Sequence, residues 1–191
     1  MKERKEKKNW ALIAFMVVIM MGTTFSFVFF GFSPTTEKVD YNGIKFIRKN
    51  NIWTARINGR EAAFTFLPSE VSNIPAADFS KKLQNKLEID ATYDLNSTNK
   101  EAIALAQHQM GLTLAAYNVY LRKGFTTNSS FNLPVITCND ATEIVPVVYF
   151  KYGNSTSIYV ENNCIIADAS SDAGFIMAKD RLLYDILGVI K

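Results

Sequence analysis

Histidine and cysteine are almost missing from this chain: 191 residues hold one histidine, His108, and two cysteines, Cys138 and Cys164. A Ser-His-Asp or Cys-His relay would have to use His108, which falls inside an expected helix with no nucleophile motif beside it. A zinc centre needs about four ligands, and two cysteines and one histidine, far apart in sequence, do not supply them. No Gly-rich phosphate loop, no Gly-x-Ser-x-Gly and no His-Glu-x-x-His is present, which removes the common signatures of nucleotide, acyl-transfer and metalloprotease chemistry. No cofactor is expected. Enzymatic activity is left open, with the balance toward none. Internal repeats and low-complexity tracts are also lacking.

Charge is missing from a long stretch. Between Asn9 and Thr36 no side chain is ionised. The apolar core of that stretch, Trp10 to Phe32, has the roughly 20 residues a helix needs to cross a bilayer core about 30 Å thick. In lipid the backbone must bond to itself, which imposes a helix. Before it stand Lys2, Arg4, Lys5, Lys7 and Lys8 against Glu3 and Glu6, an excess of +3 that equals the net charge of the whole chain. The remainder holds 16 basic and 16 acidic residues, so no nucleic-acid partner is expected. Basic residues on the N-terminal side place that end in the cytoplasm and the rest outside. A secretory signal would have a shorter apolar run and small residues at a cleavage site, and no Ala-x-Ala follows here. The expected organisation is a basic tail over 1–8, a transmembrane helix over 9–32, a linker over 33–39 and one extracytoplasmic domain over 40–191.

The domain reads as α/β or α+β, a mixed sheet packed by about three helices. Strands are expected at Ile44–Arg48, Ile52–Ile57 and Glu61–Leu67, with Asn58-Gly59 as a hairpin turn. A short helix follows at Ala76–Leu87, then a half-buried strand at Ile89–Leu95. The spacing predicts a long helix over Asn99–Lys123, closed by Gly124. It carries one apolar stripe at Ile103, Ala106, Met110, Leu114, Tyr117 and Leu121, and a second at Leu105, Leu112, Ala116 and Val119. A helix apolar on two faces is central in a fold or touches a partner. Strands are expected at Val135–Thr137, Ile144–Lys151, Ser157–Glu161 and Asn163–Ala167. A last helix, Asp172–Leu187, is capped by Ser170 or Ser171.

Both cysteines fall at strand ends of the outer domain. Outside the cytoplasm thiols tend to pair, and a Cys138–Cys164 bond would stabilise by about 3 kcal/mol in the chain-entropy view. Two buried free thiols are the alternative. Such a bond would draw together loops bearing Asp140, Glu143, Asp168 and Asp172, a candidate acidic cluster for a cation. Asn96, Asn128 and Asn154 open Asn-x-Ser/Thr triplets in expected loops, where a glycan is accepted.

Three stretches, Thr137-Cys138-Asn139-Asp140-Ala141-Thr142, Asn163-Cys164-Ile165-Ile166 and Asp180-Arg181-Leu182-Leu183-Tyr184, occur together with the anchor. In these the chain resembles membrane-anchored proteins of archaeal genomes that have no assigned activity. The resemblance implies a cell-envelope protein and transfers no functional residue. The expected partners are the lipid bilayer and another envelope or membrane protein. The expected role is a binding or structural module, with a membrane-anchored hydrolase sited near Asp140 and Asp168, or a pilin-like assembly subunit, as alternatives.

Overall fold

The computed structural model describes residues 10–30, 37–76, 79–161 and 163–190. The basic tail over 1–8 and most of the expected linker lie outside them, as does the junction on which a pilin-like reading depends. The chain forms two units, 1–36 and 37–191. In the first, helix α1 (Trp10–Phe30) runs 21 residues without a charge. Its described side chains, Trp10 and those of residues 13–22, are all exposed. Among the described residues no helix is long and apolar enough to cross a membrane.

The second unit is an α+β fold with two sheets, where sequence reading expects one. The first is an antiparallel meander of β1 (Lys38–Tyr41), β2 (Ile44–Lys49), β3 (Ile52–Ile57) and β4 (Arg60–Phe64), paired in that order. Its three turns are asparagine turns. Asn42-Gly43, Asn50-Asn51 and Asn58-Gly59 all hold positive φ, the backbone twist that two-residue hairpins require. Strand β1 occupies part of the expected linker, and its signal, Asn42-Gly43, stands in plain sight. The chain then makes two single-turn helices, α2 (Pro68–Val71) and α3 (Ser80–Leu83). The helix expected at Ala76–Leu87 is confined to α3. Gln84, at ψ 144°, takes the backbone out of the helix and Asn85, at φ 58°, keeps it out, and Leu87 is 80% exposed rather than packed.

The second sheet has the order β6-β5-β7-β9-β8. It is built from β5 (Glu88–Tyr93), β6 (Tyr120–Lys123), β7 (Val147–Tyr152), β8 (Ser157–Glu161) and β9 (Cys164–Ala169). Pairs β5–β6, β5–β7 and β7–β9 are parallel, and only β8 runs against its neighbour. Strand β5 is buried on both faces from Ile89 to Tyr93, not half-buried, because a strand inside a parallel sheet is covered on both sides. Helices α4 (Lys100–Ala116) and α5 (Asp172–Ile186) complete the unit. Ser171 caps α5, its Oγ accepting from Gly174 N at 3.1 Å.

The helices lie between the sheets. On one side Tyr184 of α5 stacks on Phe64 at 4.2 Å and meets Phe46 edge-on, and Tyr117 Oη donates to the Ile57 carbonyl. On the other, Ile89, Ala91, Val148, Phe150 and Ile165 join the same hydrophobic core. The outer face of the mixed sheet is covered instead by the chain between β6 and β7. There Ile136, Val147, Cys164 and Ile166 form a small separate cluster, and Thr92 Oγ1 donates to the Ile136 carbonyl at 2.8 Å. The expected strand Val135–Thr137 reduces to a single bridge between Val135 and Phe125. The Cys138–Cys164 disulfide pins this cover to the start of β9, with the Cα atoms 5.1 Å apart.

Candidate interaction surface

Helix α4 ends seven residues before the expected Lys123. Asn118 takes φ 60°, a conformation asparagine tolerates at a helix C-terminus. The Tyr117 and Val119 N–H groups both bond back to the Leu114 carbonyl. The chain reverses, and Tyr120–Lys123 becomes β6, the edge strand beside β5. Helix and strand are thus adjacent in sequence and splay apart on the solvent side.

The space between them is a groove of about 420 Å³. His108, Gly111, Leu112 and Ala115 form its helical wall, and Val119, Tyr120, Leu121 and Lys123 its strand wall. Of the two apolar stripes on α4, one is the core face: Ile103, Ala106, Met110 and Leu114 are fully buried. The other meets water, with Leu112 63% and Leu105 48% exposed, and Tyr120 on the strand is 64% exposed. Gly111 lines the helical wall. A Cβ there would sit 3.5 Å from Leu121 Cδ2, an ordinary contact, so packing alone does not require glycine.

Strand β6 offers its backbone to this groove's rim. Tyr120 N bonds to the Leu87 carbonyl and Gly124 N to the Ala91 carbonyl, so the even positions face β5. By strand alternation the N–H groups of Leu121 and Lys123 face away from the sheet. On the sheet's outer face, Arg122 clamps Asp90 through Nε at 2.7 Å and Nη2 at 2.6 Å, with Glu88 at 3.3 Å. This bidentate pair raises the guanidinium's pKa further, chiefly through the Asp90 hydrogen bond. It also holds β6 in register, leaving Lys123 as the cation in the groove.

The acidic cluster does not form. Asp140 closes its own turn: its Oδ2 accepts from Thr137 N at 2.7 Å and Thr137 Oγ1 at 2.8 Å, and these bonds lower its pKa. Asp168 accepts from Tyr159 Oη at 3.1 Å, and Asp172 from Asn99 Nδ2 at 2.7 Å. The reason is strand length. The disulfide sets Asp140 beside Cys164 at the start of β9, while Asp168 is four residues along that strand, about 13 Å away, and Asp172 lies past its end. Glu143 lines a separate cleft with three lysines. Among the described residues no group of histidine, cysteine and carboxylates could hold a metal ion. Burial raises the pKa of Tyr149 and Tyr159, and the negative charge of Asp168 adds to it.

Asn96, Asn128 and Asn154 are exposed and lie in turns or loops. Each follows the C-terminal end of a parallel strand, β5, β6 and β7 respectively, so all three sequons are at one end of the mixed sheet. His108 is exposed on α4 and lines the groove wall. The strand wall escapes sequence reading, because Tyr117 and Leu121 continue the helical stripe. Asn118 followed by Val-Tyr-Leu is the signal that the helix has stopped. No protein family, curated protein or solved structure matches the chain.

Proposed function

We propose that this protein is a membrane-anchored binding module whose outer domain captures an extended segment of another envelope or membrane protein. The single observation that carries the reading is the edge strand β6, whose outer side is unpaired at Leu121 and Lys123 among the described residues, beside an apolar groove whose other wall is the exposed stripe of α4. An extended chain laid there would add a strand to the sheet through the Leu121 and Lys123 N–H groups. Alternate side chains of the added strand would enter the groove against Leu112 and Ala115. An exposed apolar patch beside free strand edges is otherwise a liability for a soluble domain.

The anchor rests on the uncharged 21-residue helix, about 32 Å long at 1.5 Å per residue, and on the five basic residues before it. The disulfide supports an oxidising compartment for residues 37–191. Glycans at Asn96, Asn128 and Asn154 would fit the same placement. The hydrolase alternative loses its geometry, since Asp140 and Asp168 sit at opposite ends of β9.

The test is a photocrosslinking residue placed at Tyr120 or at Leu112 of the full chain in native membranes, with exposed Ile144 as the control position. One heterologous protein should be trapped from both groove positions and not from Ile144. Leu112→Asp should reduce the yield about tenfold. Crosslinks to copies of this chain alone, or equal capture from Ile144, would overturn the reading. Protease added to intact cells should remove the domain; its survival until lysis would overturn the topology separately.

A further inference from the structure

A second site lies in a cleft that shares no residue with the groove. Lys81, Lys82 and Lys86 converge on a space of about 260 Å³ whose opposite wall carries Thr142, Glu143 and Asn163. The single turn of α3 sends Phe79 and Leu83 into the core and leaves Lys81 and Lys82 outward. The left-handed residue Asn85 then swings Lys86 to the same side. The opposite wall is set by the disulfide. Thr142 and Glu143 follow Cys138, and Asn163, at φ 69°, immediately precedes Cys164.

Two of these lysines are half-buried and hold neutral acceptors. Lys82 Nζ donates to Asn163 Oδ1, and Lys86 Nζ to the Glu143 carbonyl. Among the described residues neither forms an ion pair with a carboxylate. Among the described residues of the wall Glu143 is the one acid facing the ammonium groups of Lys82 and Lys86, so this pair leaves a positive excess in the cleft. Ammonium groups that have given one proton to a neutral oxygen keep two more to donate, and charge-assisted bonds to an oxyanion are stronger than those they already make.

We propose that this cleft binds a phosphate group, held by Lys82 and Lys86 with Lys81 at the mouth. The disulfide makes the site by fixing the wall that orients both lysines. The phosphate can belong to a soluble ester or to a lipid headgroup, since the lysines recognise the same oxygens in each.

The test uses the full chain in neutral nanodiscs, with amine-selective labelling of each lysine read by mass spectrometry. Inorganic phosphate should protect Lys82 and Lys86 saturably and leave exposed Lys45 unchanged. In Lys82→Gln the concentration that half-protects Lys86 should rise about tenfold, and in Glu143→Gln it should fall severalfold. The second variant keeps the proposal testable if the first fails to fold. Glycerol phosphate in solution and phosphatidylglycerol doped into the discs identify the source: the arm that protects both lysines is the ligand's form. No saturable protection by phosphate in wild type, or unchanged half-protection in Glu143→Gln, would overturn the site.

Discussion

The two long helices of the domain invert each other. Helix α5 has 15 residues and buries 11, four of them charged: Lys179, Asp180, Arg181 and Asp185. Helix α4 has 17 residues, buries six, and leaves Leu105 and Leu112 in water. Simple partitioning would put the leucines inside and the charges outside. In α5 the Lys179–Asp180 pair is inside because it is matched. Asp180 Oδ2 accepts from Thr65 N and Phe66 N, both at 2.9 Å, and its Oδ1 from Lys179 Nζ at 2.5 Å. The carboxylate therefore ties the end of β4 to the central helix. Among the described residues the α4 leucines have no such account. An inverted residue with partners is a structural element, and the exposed leucines without them are the surface that the proposed partner would cover.

The sharpest way to break that contrast is to remove the carboxylate. Asp180→Ala would leave a buried ammonium and two backbone N–H groups without an acceptor. The expected loss is about 3–5 kcal/mol of stability, read as the shift in a urea-unfolding midpoint. Lys179→Met should cost clearly less. Burial already pushes the Asp180 pKa up against the pull of Lys179 and the two N–H groups, so without the lysine the acid can take a proton and keep its backbone bonds. Equal losses from the two substitutions would show that the pair, and not the tie to β4, carries the stability.

Asp185 gives a smaller effect with a definite sign. Burial raises its pKa from 3.8 to about 6, with Arg181 opposing. Arg181 Nε lies 3.2 Å from Asp185 Oδ2, close enough for an ion pair, yet neither atom makes a directed hydrogen bond. Between about pH 4 and 6 the folded chain keeps a proton that the unfolded chain has released, so this group's contribution falls as pH rises through that window. Asp185→Asn removes the term. Its stability relative to wild type should improve from pH 4 to pH 7 by on the order of 1 kcal/mol, discounted for solvent at the helix end. A pH-independent difference between the two proteins would show that Asp185 does not titrate in this range.

What could be read from the chain divides along physical lines. The Asn58-Gly59 turn was legible because asparagine and glycine at positive φ carry their own signal, whereas the same signal at Asn42-Gly43 was passed over and β1 with it. Helix α5 was legible from Ser171 and the spacing of Phe175, Leu182 and Leu183. The end of α4 was hidden, since Tyr117 and Leu121 prolong its stripe while their burial comes from different elements. The second sheet was hidden too. Alternation along a strand tells which side is buried and not which strand lies beside it, so the meander could not be separated from the parallel strands. The cysteine pairing followed from compartment and count. The carboxylates were misplaced because a covalent link fixes only its own neighbours, and β9 carries Asp168 away from Cys164 at more than 3 Å per residue.

The smallest expected effect on stability bears most directly on function. If Leu105 and Leu112 serve the fold, replacing them with polar residues costs what a core truncation costs, about 2–5 kcal/mol. If they serve a partner, the free protein should hardly notice. Both are leucines on a solvated helical face, and substitutions at such sites usually stay within about 0.5 kcal/mol. Leu105→Gln and Leu112→Gln keep helix propensity nearly constant, so the unfolding midpoint isolates burial from backbone effects. Capture at Tyr120 should nevertheless fall in Leu112→Gln and stay near wild type in Leu105→Gln, because only Leu112 lines the groove. A large loss of stability in either variant would return α4 to the fold and remove the groove's claim on a partner.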